Sequence, residues 1–297
     1  MARILALLLL GLAACGPRPP AGGVSITDDW GRTVALAAPA RRIVSLSPAS
    51  TEILFALGVG SRLVGRTRYC DWPPEARAVP DVGNGIAPNV EAVAARRPDL
   101  VVLYASAANR AAAQGLTALH VPVAVLKLDV AADVRYAARR LGALTGSAAV
   151  ADSLVAAFDS SLKAVQAAAA RPGRRPRLYV DVWANPPMTV GRGSYLSEVL
   201  QVAGAVNSFG DLGASAAPVS VEAIAERDPD AILVVAADAR RPPDLASRPG
   251  WDAVRAVREG RILVVDASLY GRPGPRMPLA AADLARRIAG LALRPGP

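Results

Sequence analysis

Ser147–Arg171, SAAVADSLVAAFDSSLKAVQAAAAR, runs 25 residues without Gly or Pro. Gly146 stands in front of it and Pro172-Gly173 behind. Apolar residues recur at Val150, Leu154, Phe158, Leu162 and Val165, spacings of four and three that draw one stripe along a helix. Ser147 suits an N-cap, and Pro172 ends the helix because it has no N–H to continue the ladder. At about 1.5 Å per residue the helix spans roughly 37 Å, enough to cross from one domain to another. Taken alone, it equally fits a long surface helix in a single α/β domain.

An internal repeat decides between the two. NVEAVAARRPDLVVL (Asn89–Leu103) aligns without a gap on SVEAIAERDPDAILV (Ser220–Val234). Both copies carry V-E-A, a shared Ala and Arg, then P-D and an apolar strand, so Glu91 and Glu222 occupy equivalent positions. One copy lies on each side of the long helix. The expected architecture is therefore α/β: two related Rossmann-like lobes, residues 24–146 and 172–297, joined by a single helix over 147–171. Apolar runs such as Leu100–Tyr104, Val121–Leu126, Ala231–Val235 and Ile262–Asp266 alternate with helical periods. That alternation predicts parallel sheets with flanking helices.

A chain of 297 residues, 52% hydrophobic, can fill two cores. Arg3 followed by the apolar run Ile4–Ala14, too short to span a bilayer, reads as a targeting segment. Leu12-Ala13-Ala14-Cys15 looks like a lipobox, which makes residues 1–15 a signal peptide and Cys15 the lipidated mature N-terminus. Gly16–Gly23, GPRPPAGG, is a tether with nothing to pack. The expectation is an exported lipoprotein, held to a membrane only by its anchor, in the periplasm or at the cell surface. Cys70 is then a lone thiol, better suited to packing than to chemistry. The net charge of +9 comes almost entirely from arginines scattered in pairs such as Arg41-Arg42 and Arg139-Arg140. Charges farther apart than a Debye length of about 8 Å act nearly independently. With aromatics at only 4%, nucleic acid is not indicated as a partner.

Further segments carry a family resemblance: RIVSLSPASTEILFALG, then Y-C-D-W-P-P-E-A, P-N-V-E-A with R-P-D-L-V-V, N-P-P-M-T-V-G, P-V-S-V-E-A-I and G-R-P-G-P-R. In this order, from about Arg42 to the C-terminus, they resemble the class III periplasmic substrate-binding proteins of ABC importers for cobalamin, haem and ferric siderophores. Y-C-D-W-P-P and the N-P-P segment are most similar to the cobalamin-binding branch. The resemblance implies binding and delivery without catalysis, by a monomer with no intrinsic cofactor. Its ligand, cobalamin first and haem or a ferric siderophore as alternatives, would lie in a cleft between the lobes. It implies a permease dimer with its ATPase subunits as partner, with Glu91 and Glu222 docking onto that dimer. Tyr69, Tyr104, Trp183, Tyr270 and Arg272 are the implied ligand-binding residues, while Trp72, between Asp71 and Pro73, fits a structural role. Gly85 and Ala216 depart from the pattern, standing where the best-known cobalamin binder carries tryptophan. A haem ligand would need an axial residue, for which Tyr69, Tyr104, Tyr270 or His120 could serve.

A secreted two-lobe enzyme is the alternative from another class. The sole histidine, His120, leaves no Ser-His-Asp set, and the sequence shows no G-x-S-x-G elbow, metal-ligand spacing or phosphate-binding glycine loop.

Overall fold

The computed structural model describes residues 22–170, 172–240 and 243–291. Cys15 and most of the tether lie outside the described residues. The N-terminal lobe begins with an antiparallel pair, β1 (Val24–Thr27) and β2 (Thr33–Leu36). It continues through β3 (Ile43–Ser45), α1 (Pro48–Ala56), β4 (Leu63–Arg66), α2 (Val90–Ala94), β5 (Leu100–Tyr104), α3 (Arg110–Ala118), β6 (Val123–Leu126) and α4 (Ala131–Thr145). After α5 (Ala148–Ala169) the second lobe runs β7 (Arg177–Asp181), β8 (Trp183–Ala184), β9 (Pro187–Val190), α6 (Tyr195–Val202), β10 (Val206–Asn207), β11 (Ala216–Pro218) and α7 (Val221–Glu226). It closes with β12 (Ala231–Ala236), α8 (Arg255–Arg258), β13 (Ile262–Asp266), α9 (Ala267–Tyr270) and α10 (Met277–Ala289).

Both lobes carry a four-stranded parallel sheet with the same winding. The orders are β4-β3-β5-β6 and β10-β7-β12-β13, so in each lobe the first strand is flanked by the second on one side and the third on the other. Sheets wound this way place their ligand crevice outside the carboxyl ends of the strands, where the winding reverses.

The repeat extends to atomic detail. α2 and α7 are each capped by a side chain, Asn89 accepting from the Ala92 N–H and Ser220 from the Ala223 N–H. Each ends near a non-glycine residue in left-handed backbone, Arg97 (φ 48°) and Asp228 (φ 41°). The P-D aspartates do the same work in both copies. Asp99 accepts from the Arg41 and Arg42 N–H groups, and Asp230 from the Arg177 N–H and the Arg174 guanidinium. Each aspartate thus ties the start of a lobe's third strand to the start of its first.

One continuous apolar core runs from the first lobe through α5 into the second, holding Leu141, Phe158, Leu178 and Leu284 together. α5 packs on α4 from one lobe and on α6 and α10 from the other. The expected stripe is displaced. Ala151, Val155, Phe158, Leu162 and Ala169 are the buried positions, while Val150 faces solvent. The reason is a close approach of α4 and α5: a Cβ on Gly142 would lie 2.5 Å from that of Ala151. Only small residues fit there, so Ala151 takes the inward position and Val150 is turned away. Ser147 makes no side-chain cap bond. Gly146 in left-handed conformation (φ 71°) ends α4 instead, and the Ser147 N–H returns to the Gly142 carbonyl at 2.7 Å.

Candidate functional site

Val182, Trp183, Val235 and Ala236 come off the carboxyl ends of β7 and β12 and line a cavity of about 670 Å³. Leu128 and Asp129, beyond β6, reach into it from the other lobe, so it lies between the two. Its volume falls within the 300–1,000 Å³ range of small-molecule sites, and its walls are mainly apolar.

The structure brings some of the implied ligand residues to this cavity and withdraws others. Trp183, on β8, lines it and is 63% exposed, its indole N–H donating to the Asn185 carbonyl at 3.2 Å. Tyr69 stands in the loop after β4, on the same carboxyl-end edge of its lobe, and is 58% exposed. Tyr104 ends β5 and donates its hydroxyl to Asp129 at 2.6 Å. Burial first, then the Asp129 carboxylate, push the Tyr104 phenol well above its usual pKa, which keeps it protonated.

Tyr270 is a correction. It is 1% exposed and donates to Asp283 of α10 at 2.8 Å, so it is a core residue of the second lobe with no surface left for a ligand. Arg272 is placed between the lobes, where its Nη1 lies 2.5 Å from Asp71 and 3.6 Å from Glu52. Arg276 joins the cluster, forking onto Glu52 at 2.6 and 2.9 Å and lying 4.6 Å over the Trp72 ring. Two arginines of the second lobe thus face two carboxylates of the first across a largely buried contact. Trp72 supports this contact, in line with a structural role. Burial raises the Asp71 pKa, but the hydrogen bond and charge of Arg272 outweigh it, leaving the carboxyl below its ordinary range.

Gly85 departs from the tryptophan pattern for a steric reason: a Cβ there would meet the Leu46 carbonyl at 2.3 Å. Ala216 lines the cavity. Cys70 is fully buried with its sulfur 3.2 Å from the Thr67 hydroxyl, a packed residue. His120 holds a left-handed turn (φ 59°) between α3 and β6, away from this cavity.

Sequence reasoning missed six polar residues that line the cavity: Asp129, Asp181, Ser194, Tyr195, Ser215 and Arg248. Asp181 closes the apolar run RLYVD, and a carboxylate ending a buried strand was a readable signal. Arg248 lies in an aperiodic loop and carried none.

Glu91 and Glu222 are both exposed, in the first turns of α2 and α7. The Glu222 carboxyl is held below its ordinary pKa by its own backbone N–H and then by the Ser220 hydroxyl.

The periplasmic binding protein family matches residues 43–269. The chain belongs to that family. It is 31% identical over 271 residues to the uncharacterised ABC transporter substrate-binding lipoprotein YvrC of Bacillus subtilis, covering 89% of this chain and 85% of that one. It is 26% identical over 268 residues to the vitamin B12-binding protein of Pectobacterium atrosepticum, covering 89% and 93%. Among solved structures it resembles a periplasmic heme-binding protein from Pseudomonas aeruginosa, with a TM-score of 0.75 and 27% identity over 87% of this chain and 95% of that one. The two-lobe α/β architecture is the one these structures share.

Proposed function

We propose that this protein captures cobalamin or a related corrinoid between its lobes and delivers it to the permease of an ABC importer. The observation that carries the reading is the cavity at the carboxyl ends of the strands, apolar-walled and flanked by the exposed ring of Trp183. A flat aromatic face beside an apolar cleft suits a large planar macrocycle, which gains contact area without ordering a flexible partner. Tyr69 offers a second exposed ring at the cleft edge, and Tyr104 lends its ring and the Asp129 it orients. The vitamin B12-binding relative supports this ligand class.

Haem is the second reading. Tyr69 favours it, since its phenol makes no side-chain hydrogen bond among the described residues and is free to ligate iron. Tyr104 and Tyr270 are unsuited, because each hydroxyl is committed to a carboxylate that opposes phenolate formation. A ferric siderophore is the third member of the same transport class.

On this reading Glu91 and Glu222 dock the two lobes onto a two-fold permease, since like charges on pseudo-symmetric faces suit a symmetric partner. Residues 24–146 and 172–297 act as the two lobes on the helix at 147–171, and Cys15 carries the lipid that keeps the monomer at the membrane. The reading includes no catalytic step.

Competition decides the ligand. The soluble chain is incubated with equimolar cyanocobalamin and hemin, passed over a sizing column, and the protein peak is read by visible absorbance. The corrinoid band is expected to co-elute with the protein. A shifted Soret band in its place overturns the corrinoid in favour of haem.

A further inference from the structure

We propose that a basic groove at the amino ends of β7 and β10 docks the second lobe onto the phosphate headgroups of acidic phospholipids. The groove is separate from the ligand cleft: Arg177 begins β7 and lines the groove, whereas Asp181 ends the same strand and lines the cleft. The inference goes beyond the transport reading and does not depend on which ligand is carried.

Arg174, Arg175, Arg177 and Arg227 line this groove, whose volume is about 810 Å³. Arg227 follows α7 and reaches the other three only through the fold. Two of the four are neutralised and fixed. Arg174 forks onto Asp230, with both bonds at 2.8 Å. Arg227 forks onto Asp211 at 2.6 and 2.8 Å, and its guanidinium lies 4.2 Å over the Phe209 ring. The other two keep their charge. Arg175 donates its Nη2 to the Gln201 and Ala205 carbonyls at 3.0 and 2.6 Å, which positions it without a carboxylate. Arg177 is exposed, and its side chain has no partner among the described residues. Two carboxylates thus engage four guanidiniums, and the surplus is positive. A guanidinium fork matches the oxygens of a phosphate.

A neighbouring pocket favours a lipid over a free ion. Gly173, Arg174 and Arg175 also line a second space of about 410 Å³. Its walls are mainly small and apolar, with Ala203, Ala285 and Ile288 among them. The two spaces side by side offer adjacent seats for a phosphate and an acyl chain. A single phosphate in an open groove stays hydrated, and its pairing with exposed arginines is weak and screened. A headgroup layer presents many anions at once, and each basic side chain near it adds about fivefold to binding. A lipidated Cys15 would keep the chain beside such a layer.

Co-sedimentation of the chain begun after Cys15 with vesicles tests the proposal. Binding is expected to phosphatidylglycerol–phosphatidylcholine vesicles at low salt, to be lost at high salt, and to be absent with phosphatidylcholine alone. Arg177→Gln, which removes no bond, is expected to weaken it about fivefold, and Arg175→Gln with Arg177→Gln about twentyfold or more. Arg41→Gln serves as the control, since Arg41 is an exposed arginine before β3 in the other lobe. It is expected to bind vesicles like wild type. An equal loss in Arg41→Gln means that total charge governs and overturns the groove, as does wild-type protein that ignores acidic vesicles. Release from the vesicles by inorganic phosphate, but not by chloride at equal ionic strength, overturns the lipid in favour of a free-anion site. Cyanocobalamin titrations of the same variants are expected to match wild type, so failure of the groove and failure of the ligand reading are told apart.

Discussion

Arg276 crosses from the second lobe to reach Glu52 in the first, with Nη2 2.6 Å from Oε1 and Nε 2.9 Å from Oε2. Glu52 lies on α1, on the helix face that packs toward the other lobe, and is almost fully buried. A buried carboxylate is tolerated only when paired and hydrogen-bonded. Removing one member of such a pair costs about 3–5 kcal/mol, because the other charge is left uncompensated. Arg272, 3.6 Å from Glu52, keeps part of the compensation, so Arg276→Ala should lower stability by about 3 kcal/mol, the low end of that range, and loosen the lobes, while Glu52→Gln with Arg276→Met together should cost far less. Denaturant unfolding of the single and double variants measures both. An unaltered single variant would remove the lobe-to-lobe pair from the account.

Asp71 adds a pH dependence to the same contact. Its folded pKa lies below the unfolded value, so its pairing with Arg272 contributes stability above about pH 4, the ordinary aspartate value. That contribution is lost as pH falls through the folded value. Melting temperatures between pH 7 and pH 3 should fall less steeply in Asp71→Asn than in wild type. Parallel curves would contradict the assignment.

The repeat makes a paired prediction. Asp99 and Asp230 each accept backbone N–H groups that tie two strand starts together. Alanine at Asp230, the more buried of the two, should cost about 2 kcal/mol, with the backbone N–H left unsatisfied. Asp99→Ala should cost less, since water can reach its partners. Equal costs in urea melts would mean the tie does not depend on burial.

Glu91 and Glu222 are predicted to act on the permease and not on the ligand. Reversing either to Arg should slow uptake through the cognate importer and leave ligand affinity unchanged, since neither residue lines the cavity. Uptake by cells carrying the variants, compared with calorimetry on the purified proteins, separates the two. Unimpaired uptake with both residues reversed would exclude the docking role.

Gly85 tests whether an aromatic can be restored at the cleft. A Cβ would come within 2.3 Å of the Leu46 carbonyl, so even Gly85→Ala should cost about 1–3 kcal/mol. A fully stable Gly85→Trp protein would contradict this backbone approach.

The lobes, their parallel sheets and the connecting helix were legible because each rests on local periodicity and on a repeat that survives as sequence. The buried face of α5 was not, since Val150 and Ala151 are neighbours and only the contact with Gly142 chooses between them. The antiparallel sheet of β8, β9 and β11 was invisible as well: strands of two to four residues show no period. Trp183 could be named as a cleft residue from its neighbours in the chain, whereas Tyr270 could not be excluded before α10 brought Asp283 against it. Arg248 and Asp181 are distant in sequence, and only the fold pairs them.

Calorimetric titration of cyanocobalamin into the soluble chain, begun after Cys15, tests the central claim most directly. The account predicts one-to-one binding that weakens when Trp183 is replaced by alanine. A titration with no heat and no spectral change at any ligand concentration would contradict it.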